Sequence, residues 1–364
     1  MPNRTFFWFI LPAMTAMILL IALPIVSVLI QSVHIQHEQV LVLSESCDPF
    51  GCTKVTSIDT EATAKLRAEK PLGRFIGLDT YTDRAHLAID EVSKAWTSSD
   101  SMGAFFNRVL NLPLYKALAF TITYTVFVTP LVILFGLAVA VGVNNLPKIV
   151  KGPTVFISLL PMIITPLVGS IILFWMVDGD GIIGAMLQRI FEDNSLSLKA
   201  SPKLTWIMLI VYGVWHHLPF SFIVFYAGLQ TVSEDTMEAA MIDGASRWQR
   251  MINVVVPHLM PLVIFLLLIQ LMDNFRVFEP IIGFSAEAHA TSLSWIIYNA
   301  LRESGSPLFS SAGATSMITI IGVVILLVPL LVHTYRGYSQ KAVSYTHLRA
   351  HETDSYLVCR LLLE

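Results

Sequence analysis

Six apolar runs, each about long enough to cross a hydrocarbon core roughly 30 Å thick as a helix, constrain this chain more than any other feature. They cover Phe6–Ile30, Ala117–Val143, Val155–Val177, Leu204–Leu229, Leu259–Met272 extending toward Phe278, and Ala314–Val332. The first follows Arg4; it is too long for a signal-peptide core and ends in Pro24-Ile25-Val26 rather than a small-x-small cleavage site, so it reads as a retained helix. The 364 residues are 55% hydrophobic and 13% charged, against roughly a quarter charged in soluble domains. That excludes a cytosolic globular enzyme. A net charge of -3 with no basic tract also excludes a disordered or nucleic-acid-binding chain. Three cysteines without Cys-x-x-Cys spacing and ten scattered histidines give no metal framework, and no catalytic residue is expected. The fold class is therefore all-α, a polytopic protein of six transmembrane helices.

Short-loop lysines and arginines set the orientation. Lys148 and Lys151, Arg247 and Arg250, Arg4 and Arg336 all fall on one side of a six-helix model, which is then N-in and C-in. Three segments lie outside: residues 31–112, 181–202 and 286–311. The expected organisation is a first helix over 1–30, an extracytoplasmic insert over 31–112, and a five-helix core over 113–338. The insert is long enough for a small folded cap. Within it, Cys47-Asp48-Pro49-Phe50-Gly51-Cys52 turns so that the sulfurs can meet, as a disulfide in an oxidising compartment or as two free thiols. After Tyr338 the composition changes abruptly. Residues 339–364 resemble translated library-adapter sequence and are set aside as a non-native tail.

The loop over 231–261 carries the functional argument. Ser233 suits an N-cap, with Glu234 and Asp235 complementing the helix dipole in the first turn. Glu238, Ala239 and Ala240 follow, and Gly244 suits the left-handed position that ends a helix. Ser246 and Gln249 form a capping box for a second helix, and Pro257 and Pro261 mark the return into the membrane. The pattern Glu238-Ala239-Ala240-x-x-Asp243-Gly244-Ala245, followed by Val254, Val256, Pro257 and Pro261, resembles the EAA loop of the membrane-spanning subunits of binding-protein-dependent ABC importers. Leu11-Pro12, Leu23-Pro24, the stretch from Phe75 to Tyr81, Lys151-Gly152, Leu160-Pro161 and Ala227 to Gln230 are similar to the carbohydrate-uptake branch, the maltose and glycerol-3-phosphate permeases. One departure is Ile282 to Glu287, where that branch has Thr-x-Gly-Gly-Pro.

The resemblance implies a MetI-like permease fold in a bacterial inner membrane. Its implied partners are an ATP-binding cassette subunit, a second permease subunit and an extracytoplasmic solute-binding protein. The chain lacks a phosphate-binding loop, so no cofactor is expected on it and ATP belongs to the partner. In this reading the 231–261 loop follows the ATPase and the bundle alternates between inward-facing and outward-facing states around a sugar or sugar-like solute. Residues expected along the solute path are Gln270, Asp273 and Asn274, about 14 to 20 Å of helix rise beyond Pro261, with Phe275 and Tyr226 as stacking aromatics. Interhelical hydrogen bonding and packing are the competing roles for these residues. His216-His217 reads as a polar pair rather than a metal site. Asp178 to Gly181 reads as a turn, because it lacks the distal glutamate of a calcium loop. The competing functions are an ion-coupled secondary transporter and an importer of a non-sugar solute such as a polyamine.

Overall fold

A computed structural model describes residues 3–35, 41–48, 51–69, 73–99, 101–192, 197, 201–302 and 308–361. Almost every element is helical. The first span is α1 (Asn3–Met17), a π-helical turn (Ile18–Ala22) and α2 (Leu23–Ser32). The insert holds β1 (His34–Ile35), β2 (Leu41–Asp48), β3 (Gly51–Ile58), α3 (Thr60–Glu69), β4 (Arg74–Phe75), α4 (Asp79–Thr82), α5 (Ile89–Ser98) and α6 (Met102–Leu110). Then follow α7 (Pro113–Asn144), α8 (Lys148–Ile163), α9 (Pro166–Val177), α10 (Ile182–Phe191) and α11 (Pro202–Leu229). Beyond them come α12 (Glu234–Ile242), α13 (Arg247–Arg250), a second π-helical turn (Met251–Val255), α14 (Val256–Phe275), α15 (Glu279–Gly283), α16 (Leu293–Arg302) and α17 (Phe309–Leu361).

Among the described residues, six helical spans are long and apolar enough to cross a membrane: Phe6–Ser32, Pro113–Asn144, Pro166–Phe191, Pro202–Leu229, Arg247–Phe275 and Phe309–Arg336. Helices are the form expected there, since hydrocarbon offers no partner for an unpaired backbone group. Both π-turns end two residues before a proline, Pro24 and Pro257. A proline ring clashes with the carbonyl four residues back. The wider turn, closed by Leu23 N–H to Ile18 O and Val256 N–H to Met251 O, gives that carbonyl room and lets each helix continue.

The third span departs from the sequence expectation. The run Val155–Val177 is not one helix, because the chain leaves the helical region at Ile164 (φ −80°, ψ 128°). Thr165, the residue ahead of Pro166, is itself disfavoured in helical geometry, so the helix stops before it, and Pro166 then opens α9, where its missing N–H costs nothing. The span is instead α9 and α10 joined by a turn in which Gly181 N–H donates to Asp178 O at 2.8 Å. Part of the expected 181–202 loop is thereby helical, and α16 fills part of the expected 286–311 loop.

The chain divides into two compact units. One comprises Met1–Tyr124, Pro166–Leu209 and Arg276–Ile321. In it Phe120 packs edge-on against Trp206 at 4.9 Å, and Trp206 Nε1 donates to His289 O at 3.0 Å. The insert is tied to helix ends here: Tyr81 Oη donates to Ser32 Oγ (2.7 Å), Tyr115 Oη to Leu87 O (2.9 Å), and His86 Nε2 to Ser311 O (3.1 Å). β1 pairs with β4 and β2 with β3, both antiparallel, and the second ladder sets Cys47 opposite Cys52. The cysteine side chains lie outside the described residues. The other unit comprises Thr125–Thr165, Ile210–Phe275 and Gly322–Glu364. Its apolar core is Ala140 and Val143 from α7, Phe222 and Phe225 from α11, and Val255, Leu259 and Leu266.

Candidate functional site

The second unit carries both expected site clusters. The loop after α11 is built by local capping. Ser233 Oγ accepts from Thr236 N–H at 3.5 Å and starts α12. The helix ends at Gly244, whose φ of +79° is the left-handed region that only glycine enters freely. Gly244 N–H donates to Met241 O and Ala245 N–H to Ala240 O, both at 3.0 Å. This paired closure is a Schellman turn. Ser246 Oγ then accepts from Gln249 N–H (3.3 Å) while Gln249 Oε1 accepts from Ser246 N–H (2.8 Å), which opens α13. Local hydrogen bonding thus gives Ala240, Gly244 and Ala245 a geometric role, whereas Glu238, Ala239 and Asp243 stand exposed.

The tip of this projection is unusually apolar for a surface between two short helices. Ile242 is 87% exposed and Trp248 72%, with Met241 and Ile252 also exposed. On the opposite side, Met237 and Met251 pack onto the core formed by α7, α11 and α14. The base is closed by polar contacts. Thr231 Oγ1 donates to Gly228 O (2.8 Å), which commits its only hydrogen. His258 Nε2 is therefore the donor in its 3.0 Å bond to Thr231 Oγ1. Gln230 Nε2 donates to Asn144 Oδ1 at 3.0 Å, and Lys151 Nζ to Asn144 O at 3.0 Å. Gly228 lets α11 approach α14 closely, since a β-carbon there would meet Leu262 Cδ1 at 2.4 Å and Leu259 Cδ2 at 2.7 Å. Pro257 and Pro261 are exposed on a helical run that continues unbroken from Arg247 to Phe275.

Further along α14, Asn274 Nδ2 donates to Thr129 Oγ1 (3.0 Å) and Gln270 Oε1 (3.3 Å), and Gln270 and Asn274 are each only 1% exposed. Asn274 Oδ1 is buried without a hydrogen-bond partner. Phe275 is buried beside Gly322, and Asp273 is half-buried. Tyr226 lies elsewhere. It packs on Phe222 at 5.9 Å between ring centroids, two residues from Gly228 at the level of Leu259 and Leu262. Asn274 is twelve residues past Leu262, about 18 Å along the helix. The expected solute-path residues therefore separate into a buried Gln270–Asn274 pair and a packing tyrosine near the loop. His216 and His217 contact each other edge-on at 5.4 Å, and Tyr212 stacks on His216. Among the described residues no group of three or more His, Cys, Asp or Glu is placed to hold a metal.

Sequence reasoning missed Thr129, Asn144, Thr231 and His258. Thr129 had a signal: Thr121, Thr125 and Thr129 recur every fourth residue and are all buried. The other contacts join residues 27 and 86 positions apart, a pairing that no local pattern encodes.

Six apolar helical spans among the described residues, with a capped two-helix projection between the fourth and fifth, fit the membrane-spanning class of protein. The model of the family described as "Binding-protein-dependent transport system inner membrane component" matches residues 101–335, and the chain belongs to that family. It is 29% identical over 209 residues to the probable ABC transporter permease protein YesP of Bacillus subtilis, covering 57% of this chain and 62% of that protein. It is 28% identical to the trehalose transport system permease protein SugA of Mycobacterium tuberculosis, over 51% of this chain and 59% of SugA. It is 25% identical to the sn-glycerol-3-phosphate transport system permease protein UgpA of Escherichia coli O157:H7, over 72% of this chain and 81% of UgpA. The chain thus spans about three-fifths of the length of the first two. A crystal structure of a bacterial ABC transporter involved in the import of the acidic polysaccharide alginate contains a chain of the same fold, with a TM-score of 0.55 and 21% identity over 76% of this chain and 97% of that one.

Proposed function

We propose that this chain is the permease subunit of an ABC importer and forms part of the path of a sugar or sugar-like solute, moved by alternating access. The observation that carries this reading is the 231–258 projection. Its exposed Ile242 and Trp248 offer an apolar docking tip outside the lipid, and its base is bonded into the same core as α7, α11 and α14. A partner that moves the tip moves that core with it. Glu238 and Asp243 supply exposed charge for the contact. The partners are an ATPase subunit that holds the ATP, a second permease subunit and a solute-binding protein on the opposite face.

Sugar chemistry is supported by the relatives named for trehalose and glycerol-3-phosphate transport and by the alginate importer. Within the bundle, Gln270 and Asn274 are the solute-path residues we favour, with Asp273 and Phe275 beside them. The partnerless Oδ1 of Asn274 is an acceptor that a sugar hydroxyl satisfies. Tyr226 is assigned to packing. The orientation is N-in and C-in, with residues 31–112 an extracytoplasmic insert, 113–338 the permease core and 339–364 outside the functional unit.

The test is uptake into proteoliposomes by the assembled importer. Asn274→Ala is expected to lose solute uptake while the ATPase subunit still co-purifies, and Ile242→Asp with Trp248→Asp to lose the ATPase subunit. Uptake by the permease alone, without ATP, would overturn the reading.

A further inference from the structure

We infer that the α5–α6 hairpin of the insert is a monotopic element lying in the membrane–water interface, with Trp96, Met102 and Phe106 set into the headgroup–acyl boundary of the lipid bilayer. The inference rests on the reading of the six helical spans as membrane-crossing, and three observations carry it.

The first is an apolar face left exposed among the described residues. Trp96 is 62% exposed, Met102 62% and Phe106 55%, with Ile89 and Leu110 exposed as well. Met102, Phe106 and Leu110 stand at i, i+4 and i+8, one row of α6, and Ile89 and Trp96 at i and i+7 share a face of α5. Asp90, Lys94 and Asn107 occupy other faces and are exposed. Helices with a large apolar face and a polar back lie in the interfacial plane, and tryptophan concentrates at that depth.

The second is that the two helices present their apolar residues as one patch. Trp96 meets Phe105 edge-on at 5.3 Å, and Phe105 meets Phe106 at 5.6 Å. Arg108 Nη1 donates to Ser98 O (3.1 Å) and Ser98 Oγ (2.5 Å), locking the end of α5 to α6. A rigid aromatic patch of this kind is uncommon on a surface that meets only water.

The third fixes the depth and so selects lipid as the occupant. Tyr81 is bonded to Ser32, the last residue of the first span. Leu87 is bonded to Tyr115, and His86 to Ser311, each two residues inside the start of a span. Residues 81–87 therefore sit level with the ends of three membrane-crossing helices, and α5 begins two residues later. At its other end, α6 stops three residues before Pro113, where the second span starts. Both ends of the hairpin are held at the level of the span ends, which puts its apolar patch at the depth of the bilayer boundary.

The experiment uses the assembled importer in phosphatidylcholine–phosphatidylglycerol nanodiscs, with the chain's three cysteines replaced by serine. Nitroxide labels go on Trp96→Cys, Met102→Cys and Phe106→Cys, with Lys94→Cys and Asn107→Cys as the polar-face set and Phe127→Cys on the exposed middle of α7 as the lipid reference. Collisional access is read with oxygen and with a water-soluble nickel chelate. Positions 96, 102 and 106 are expected to favour oxygen over nickel severalfold, as 127 does, while 94 and 107 favour nickel. Nickel reaching 96 and 106 as freely as 94 and 107, with 127 still shielded, would overturn the interfacial placement and point to water or a protein partner on this face. Nickel reaching 127 as well would overturn the membrane-spanning reading beneath it.

Discussion

Replacing Gly244 separates backbone geometry from partner contact at the projection. Its φ of +79° costs an ordinary L-residue about 1–2 kcal/mol, a factor of about 5 to 30 in the population of the closed turn. A β-carbon added there meets nothing within 4 Å in this chain, so the penalty of Gly244→Ala is purely conformational. Asparagine visits the left-handed region more readily than alanine, so Gly244→Asn should recover much of the loss, whereas β-branched Gly244→Val should be worst. If only the closed turn docks, apparent affinity falls with its population, and the ATPase subunit should be released in the order Val, Ala, Asn. Quantitative co-purification, with membrane insertion checked in parallel, reads this directly, and coupled uptake should follow the same order. Asparagine more damaging than alanine would refute the conformational account, because the larger side chain would then be striking the partner. Equal wild-type behaviour of all three would refute the docking role itself.

Thr231→Val and His258→Leu each break the bond that closes the loop base; a double-mutant cycle on ATPase-subunit affinity should give a coupling of about 0.5–1.5 kcal/mol. Thr129→Val removes the hydroxyl bonded to Asn274 and should lower stability by about 1 kcal/mol in a thermal-shift assay, in line with interhelical polar bonds in bilayers. Leu266→Ala, which empties a site in the core under the projection, should cost about 2–5 kcal/mol and be read as lost stability with the ATPase subunit still retained by the folded fraction. Because Cys47 stands opposite Cys52 in the β2–β3 ladder, both should resist alkylation in the unreduced protein and react after reduction.

Much of the projection could be read from sequence because its structure is local. Ser233, Gly244, Ser246 and Gln249 act on backbone groups within four residues of themselves, and such capping is written in residue order. The spans were legible for a similar reason, since hydropathy acts on each run separately. The third run misled because hydropathy does not register the break at Ile164 and Pro166: apolar residues continue across it while the backbone turns out of the helix. The base of the loop was invisible for a different reason. Thr231 with His258 and Gln230 with Asn144 are ordinary polar residues until α7, α11 and α14 are packed. Tyr226 shows the same limit, since an aromatic near a helix end reads equally as stacking platform or core, and its packing on Phe222 is not something that residue order alone selects.

The unbroken run from Arg247 to Phe275 bears on how force would reach the solute path proposed above. These 29 residues span about 43 Å, from the projection's second helix to the Gln270–Asn274 pair, without a loop between them. A hinge would dissipate motion, whereas a continuous helix transmits it as tilt. The vulnerable stretch is Met251–Pro261, where the π-turn and two prolines weaken the regular ladder. There the structure adds support from outside the helix: Val255 and Leu259 are buried in the core, His258 is bonded to Thr231, and Gly228 admits Leu259 and Leu262 at close range. The weakest part of the lever is thus the part most tightly held by its neighbours. Loosening that support at Gly228, as Gly228→Val would through its clash with Leu262, should leave the ATPase subunit bound and hydrolysing while uptake falls. Loss of ATPase binding in that variant would instead place Gly228 within the docking surface and refute the lever.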